Sequence, residues 1–439
     1  MASTLIQRTP SGGNRKKWTW SAWIKFSAVP SANTYLWSGY SGSNNTGYLS
    51  AYFDNDSQLN IGAWTVVFFN TKRVFRDINA WYHILLRAST TDGTAQDRMK
   101  LYINGVQETS FSTNTTASSS LNTHVNQSGN ALKIGIYTSG SNYFDGLMSH
   151  FHLADGTAYE PSTFGETDST TGEWKIKTSP SVSYGTNGFF ILKDGNSVTD
   201  QSGQSNNLTV GGGTLTKSED CPSNVFATFN HLDWENRNIA LTNGNGTATN
   251  TDTANWQAKY AMSTLAMSAG KYYAEFKAGT ISGTKYNQFG VVHEDIVSSG
   301  TFQYVGDSTS GWGLNWGGNV NHNGSNVSGY TSFTTGDIIG VAMDLDNHKV
   351  YWRKNDGAWL NSGDPTSGST GTGAQSLTTG KIYFFAASVY GNECFANFGN
   401  GYFGTTAVSS AGTNASGIGI FEYDVPTGFT AWSTKGLNE

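Results

Sequence analysis

The chain has 439 residues, of which 13% are charged, 13% are aromatic and 53 are glycine. Disordered chains are charge-rich and aromatic-poor, and coiled coils are dominated by Ala, Glu, Lys, Leu and Arg, so both classes are excluded. The formal net charge of −6, with Arg15-Lys16-Lys17 the one dense basic cluster, argues against a nucleic-acid partner, and no run approaches the ~18 apolar residues of a membrane span.

Met1 to Trp18 lacks the apolar stretch of a signal peptide, so synthesis in a cytosol without export is expected. Trp18, Trp20, Ala22, Ile24 and Phe26 then alternate with Thr19, Ser21 and Lys25. That period of two predicts a half-buried strand with an apolar and a polar face. Tyr82–Ala88, Leu132–Ile136 and Leu147–Leu153 read as further strands. Met99, Leu101 and Ile103 alternate with Lys100 and Tyr102 and run into Asn104-Gly105, a strong hairpin signal. From Asp194 to Asp220 the chain is polar and includes Gly211-Gly212-Gly213, which reads as loop or linker.

Beyond it, Tyr272, Ala274 and Phe276 oppose Lys271, Glu275 and Lys277, and Trp312, Leu314 and Trp316 share a face. Ile339, Val341, Met343 and Leu345 form another apolar row. Turns at Asp346-Asn347-His348 and Asn355-Asp356-Gly357 bracket Val350-Tyr351-Trp352-Arg353. Ile382–Val389 is apolar nearly throughout, as expected of a strand covered on both faces. The two cysteines, Cys221 and Cys394, have no metal-site spacing and are expected as free thiols. Short strands between Gly, Asn, Ser and Thr turns predict an all-β chain of two antiparallel β-sandwich (jelly-roll) domains in tandem. The first spans 1–193, a Gly/Ser/Asn-rich connection 194–221, and the second 222–439.

The first half carries Trp18-Thr-Trp-Ser-Ala-Trp-Ile-Lys25, Trp81-Tyr-His-Ile84, Leu101-Tyr-Ile-Asn-Gly-Val106, Ile134-Gly135 and Tyr143-Phe-Asp-Gly-Leu147. In order and spacing these resemble the laminin-G-like, concanavalin-A-like family, which implies a jelly roll that binds glycans or proteins. The second half carries Gly270-Lys-Tyr-Tyr-Ala-Glu-Phe276, Phe289-Gly-Val-Val292 and Gly311-Trp-Gly-Leu314. Gly336 to Asp344, Val350 to Lys354 and Phe395-Ala-Asn-Phe-Gly399 complete the set. This set resembles a SPRY domain, which implies a binding sandwich that contacts partners through loops at one end. Arg8-Thr-Pro-Ser-Gly-Gly-Asn-Arg15 and the stretch Asp155 to Asp168 are similar to segments in virion proteins of marine tailed bacteriophages.

Glucanases of the concanavalin-A class need paired carboxylates on one strand face. Glu166, Asp168 and Glu173 come nearest, but their spacing is wrong and they read as an acidic turn. No catalytic residue is assigned, and the chain is read as not an enzyme. His150 and His152 share a strand face with no evident third ligand, so no metal site is assigned. No cofactor is expected; the exception weighed is calcium near Asp54, Asp56, Asp92 and Asp97, which read first as turn formers. Gly306-Asp307-Ser308 lacks a nucleophile elbow.

Aromatic side chains stack on sugars and anchor interfaces. Tyr286, Tyr304, Tyr330 and Trp359 sit beside Gly/Asn/Ser-rich turns and are the ligand-binding candidates, whereas Trp312 and Trp316 read as core. These features together point to a non-enzymatic virion surface protein, a tail fibre, appendage or capsid decoration, made in the host cytoplasm. Its expected partners are other virion proteins in symmetric homo-oligomeric copies and host surface polysaccharide, with neither nucleic acid nor membrane. The alternative is a free lectin-like adhesin, with a polysaccharide hydrolase ranked last.

Overall fold

The alternation at Trp18 forms a strand, Lys17–Phe26, with nine of its ten residues buried. The computed structural model in which it lies describes residues 4–40, 48–63, 66–138, 140–193, 197–232, 239–251, 260–298 and 304–435. On one face Trp18, Trp20, Ala22, Ile24 and Phe26 enter the core between two sheets. Trp20 meets Trp37 nearly edge-on with ring centroids 5.5 Å apart, and the buried Trp18 indole N–H donates to Thr123 Oγ1 at 2.8 Å. The opposite face was expected to be polar and wet, and it is covered as well. Residues 156–191 fold back over it, so Phe164 packs on Leu85 and Tyr102, and the His152 ring stacks on Phe190 at 3.9 Å. The polar side chains on that face persist because each finds a partner, as buried polar groups must.

The chain divides into two units, Met1–Ser223 and Asn224–Glu439. In the first, an eight-stranded sheet runs Phe111–Asn114, Val66–Val74, Gln58–Ala63, Tyr48–Phe53, Thr34–Tyr40, Leu132–Ile134, Leu5–Arg8, Thr209–Gly212. It faces a six-stranded sheet ordered Phe189–Ile191, Gly146–Asp155, Lys17–Phe26, Tyr82–Ser89, Met99–Ile103, Val106–Gln107. The hairpin at Asn104-Gly105 forms with both residues at positive φ, 48° and 78°, the two-residue turn whose twist suits paired strands.

Of the stretch 194–221, read as a connection, the described residues belong to the first unit. Residues 194–196 lie outside the described residues, but Leu208 is buried in the first core and Thr209–Gly212 pairs with Leu5–Arg8. Its few apolar residues anchor it while its backbone completes a sheet edge. Asp220 reaches furthest: its carboxylate accepts from Lys25 Nζ at 2.5 Å and from Trp81 Nε1 at 2.9 Å, with both ends of the ion pair buried.

The second unit pairs Tyr260–Met262, Tyr383–Tyr390, Tyr286–His293, Gly311–Asn315, Val320–His322 and Ser325–Val327 in a six-stranded sheet. Facing it is a sheet centred on Lys271–Ala278, Ile338–Asp344 and Lys349–Lys354. Thr430–Ala431 joins Lys271–Ala278 in parallel, while the other strand pairs are antiparallel among the described residues. The outer face of this sheet is covered too, by residues 418–431, whose Ile418, Phe421, Val425 and Phe429 pack on Tyr273, Ala342 and Tyr351.

Fully buried Glu275 holds that cover. Its carboxylate accepts the backbone N–H of Glu422 and Tyr423 at 2.8 and 2.9 Å, the Tyr273 hydroxyl at 3.1 Å and Asn397 Nδ2 at 3.2 Å. Burial pushes its pKa up to about 7, against the downward pull of those hydrogen bonds and of Arg353.

Removing one partner of a buried ion pair leaves an uncompensated charge, at a cost of about 3–5 kcal/mol. Asp220→Ala is expected to destabilise the first unit by that amount in urea denaturation, with hydrogen exchange locating the loss at residues 17–26. For Glu275, the folded state binds more protons than the unfolded one between about 4.5 and about 7. The stabilising contribution of this group is therefore complete below pH ~4.5 and lost as pH rises through ~7. Relative to Glu275→Gln, the native chain should lose about 3 kcal/mol between these limits. Parallel stability–pH curves for the two proteins would refute this.

Candidate functional site

Tyr286–His293 sends Phe289 and Val291 into the core, so Tyr286, Gln288 and Gly290 lie on the outer face of the six-stranded sheet. The register then places like beside like. Tyr286 is opposite Tyr390, Gln288 is opposite Asn315 and Ser388, and Asn321 is opposite Gly313 and Asn326. Asn321 Oδ1 accepts from Gln288 Nε2 and, at 2.8 Å, from Asn315 Nδ2, and its own amide nitrogen donates to Asn326. The result is a line of amides running from buried Gln288 to exposed Asn326. Segment 304–310 lies against it: Val305 N–H donates to Ser388 Oγ at 2.8 Å. A Cβ on Gly313 would come within 2.7 Å of the Val305 carbonyl, so only glycine leaves room for that segment.

At the end of the amide line three rings stack. Tyr286 lies 3.8 Å from Trp316 at an interplanar angle of 14° and 5.7 Å from Tyr390 at 17°. Tyr286 and Trp316 are half-exposed, and the Tyr286 hydroxyl donates to the Gly283 carbonyl at 2.6 Å. Neutral amides beside stacked aromatic rings, with no charged side chain in the set, suit an uncharged, hydroxyl-rich ligand.

The four predicted aromatics are not brought together. Tyr286 belongs to this face, and half-buried Tyr304 directly precedes Val305 in the segment beside it. Tyr304 has its phenol pKa raised by burial and by Asp307. Tyr330 is a core residue, edge-on to Trp352 at 6.0 Å, with its hydroxyl accepting from Gln375 Nε2 at 2.9 Å. It is buried because the chain doubles back at Gly318, whose φ of 81° and close approach to the Tyr330 carbonyl draw 330 inward. Trp359 is on the other sheet, over the Arg353 guanidinium at 5.1 Å and edge-on to Tyr273 and Tyr351. Trp316, read as core, packs in part against the second core and also stacks on Tyr286, one residue past the end of Gly311–Asn315. The Gly317-Gly318 that follows was the available signal.

The other candidates are accounted for structurally. Glu166 and Asp168 lie on or beside the Gly165–Thr167 / Trp174–Ile176 hairpin. Asp168 pairs with Lys175 at 2.5 Å and accepts two backbone N–H groups, which hold its carboxyl well below the usual range. His152 is buried with Nδ1 2.8 Å from the Tyr184 hydroxyl, and burial holds it well below its ordinary pKa. His150 sits at a bulge with φ 48°. Asp54 accepts four N–H groups from Asp56, Gln58, Asn60 and Asn70, and Asp97 pairs with Lys100 at 2.8 Å. The Asp54 and Asp97 carboxylates are thus engaged within the chain. Among the described residues no group of three or more His, Cys, Asp or Glu is placed to hold a metal, and no helix is long and apolar enough to cross a membrane. Cys221 and Cys394 are free thiols, the second buried.

One pair mimics a catalytic dyad: Ser21 Oγ lies 2.8 Å from His83 Nε2. Trp174 Nε1 donates to His83 Nδ1 at 3.0 Å, so the ring proton is on Nε2 and points at the serine. A base that already carries its proton there cannot take another from Ser21. His83 is fully buried between Trp23 and Trp174, and burial lowers its pKa to about 3.

Residues 6–162 match the family described as the concanavalin A-like lectin/glucanases superfamily, and residues 271–401 match the SPRY domain. Both domains are present, and together they support a binding or adhesin-like role. No curated protein matches the chain. Among solved structures it is similar to stonustoxin (16% identity, 38% of this chain and 26% of that one, TM-score 0.30). It is also similar to the SPRY domain of human HERC1 (17% identity, 38% and 96%, TM-score 0.30). A third is the native heptameric SAP-like pentraxin from Limulus polyphemus (19% identity, 48% and 90%, TM-score 0.29). The chain thus spans about a quarter of the stonustoxin chain.

A serine-directed fluorophosphonate should leave Ser21 unlabelled near neutral pH, read by mass spectrometry of its peptide. An adduct there would overturn the tautomer derived from Trp174.

Proposed function

We propose that this chain is a non-enzymatic surface protein of a tailed-bacteriophage virion that binds neutral host-surface polysaccharide. The observation that carries the binding assignment is the Tyr286–Trp316–Tyr390 stack beside the Gln288–Asn321–Asn326 amide line. Sugars offer hydroxyls to amides and C–H faces to aromatic rings, and neither contact needs charge. The virion assignment is supported by the resemblance of Arg8–Arg15 and Asp155–Asp168 to virion segments. These segments are bound to each other: Asn14 N–H donates to Asp155 Oδ1 at 2.7 Å. They are one structural knot, not two independent likenesses. Partners would be other virion proteins in symmetric copies, the usual arrangement of homo-oligomers, with synthesis in the host cytoplasm. A free lectin-like adhesin would use the same face.

A glycan array probed with the full chain should give neutral-polysaccharide hits that Trp316→Ala weakens at least tenfold, without loss of folding by circular dichroism. Mass spectrometry of purified particles from the source should recover the chain in stoichiometric amount. Glycan binding without recovery in particles would favour the free adhesin, and no glycan binding at all would sink the assignment of the face.

A further inference from the structure

The first unit contains a cleft that the glycan-binding reading does not use. Its volume is about 440 Å³, within the ~300–1,000 Å³ of small-molecule sites. One wall is the end of the sandwich, where Ile6, Trp81, Ile134, Phe144, Met148 and Leu192 present apolar surface. The other wall is a strap, and each of its residues from Thr214 to Cys221 lines the space. The strap is tied near its two ends. The Thr4 hydroxyl donates to the Thr214 carbonyl at 2.8 Å, and Asp220 is held by Lys25 and Trp81. Between these ties it spans the cleft as a bridge.

The two walls differ in chemistry. The sandwich side is apolar, with Phe144 and Met148 only half-buried. The strap side carries Thr214, Thr216, Lys217, Ser218, Glu219 and Asp220. Its charges are cancelled locally: Lys217 Nζ lies 2.7 Å from Glu219 Oε1, and Asp220 is neutralised by Lys25. The remaining charged lining residues, Asp145 and Lys193, are of opposite sign. The lining thus offers a charged ligand no excess of either sign to offset its lost hydration, whereas an uncharged ligand has far less hydration to lose.

We infer that this cleft binds an uncharged amphipathic small molecule, with an apolar ring or chain against Trp81, Phe144 and Met148 and hydroxyl or carbonyl groups toward the strap. The site is separate from the aromatic and amide face and stands or falls independently of it.

The test uses the full chain and N-phenyl-1-naphthylamine, an uncharged aromatic amine whose fluorescence rises in apolar surroundings. Saturable one-to-one binding is expected. Leu215→Trp, which fills the cleft from the strap side, should weaken it at least tenfold, and Trp316→Ala should leave it unchanged. The anionic analogue 8-anilinonaphthalene-1-sulfonate should bind at least tenfold more weakly. If Leu215→Trp disturbs folding, Met148→Trp tests the same filling from the opposite wall. Absence of saturable binding, insensitivity to both filling variants, or equal affinity for the anionic analogue would each overturn the inference.

Discussion

Lys25 sits on a strand buried on both faces, and its ammonium must be paired there or the strand cannot be covered. Asp220 arrives from 195 residues further along the chain to pair it. Desolvating two charges costs several kcal/mol each, and only close geometry with further hydrogen bonds offsets that cost. Trp81 supplies one such bond, and the strap carrying Asp220 is thereby fixed as a cover and as a cleft wall. Glu275 plays the equivalent part in the second unit, gripping residues 422 and 423 by their backbone N–H groups. In both units a sandwich of two sheets acquires a third layer, held by buried polar side chains that would be costly to leave alone.

That layering decides where function can lie. The outer face of the first unit's six-stranded sheet, which carries Ser21, His83 and His152, is sealed by residues 156–191, and its titratable groups serve packing. On the corresponding sheet of the second unit, Ile296 and Val305 pack over Met262, Val292 and Ala386, segment 304–310 rests on a glycine floor, and among the described residues the amide line ends at exposed Asn326. Both proposed recognition surfaces are nearly free of net charge, in keeping with a chain only 13% charged.

Much of the architecture was legible in local pattern. Period-two alternation marked the strands at Trp18, Met99 and Ile339, and Asn104-Gly105 marked its hairpin because few other residues accept two successive positive φ values. Tyr286, read as exposed beside a turn, is half-exposed in the ring stack; Tyr330 is core instead, and Trp316, read as core, packs on the core and on Tyr286 together. Alternation reports which residues share a face of a strand; it does not report where the strand ends or what packs over it. Trp316 left the pattern by one residue, and Tyr330 was pulled inward by a reversal at Gly318.

The amino-acid sequence by itself determined the all-β class, the two sandwiches and the poverty of charge, because each follows from residue type and short-range spacing. Tertiary structure alone decided that the polar stretch 197–221 is part of the first unit, that Lys25 is buried, and that four amides from four strands and a turn-end tryptophan share one surface. Those outcomes depend on sheet register and on covers contributed from distant parts of the chain, and a pairing set by hydrogen bonds between strands leaves no mark in the spacing of any one of them.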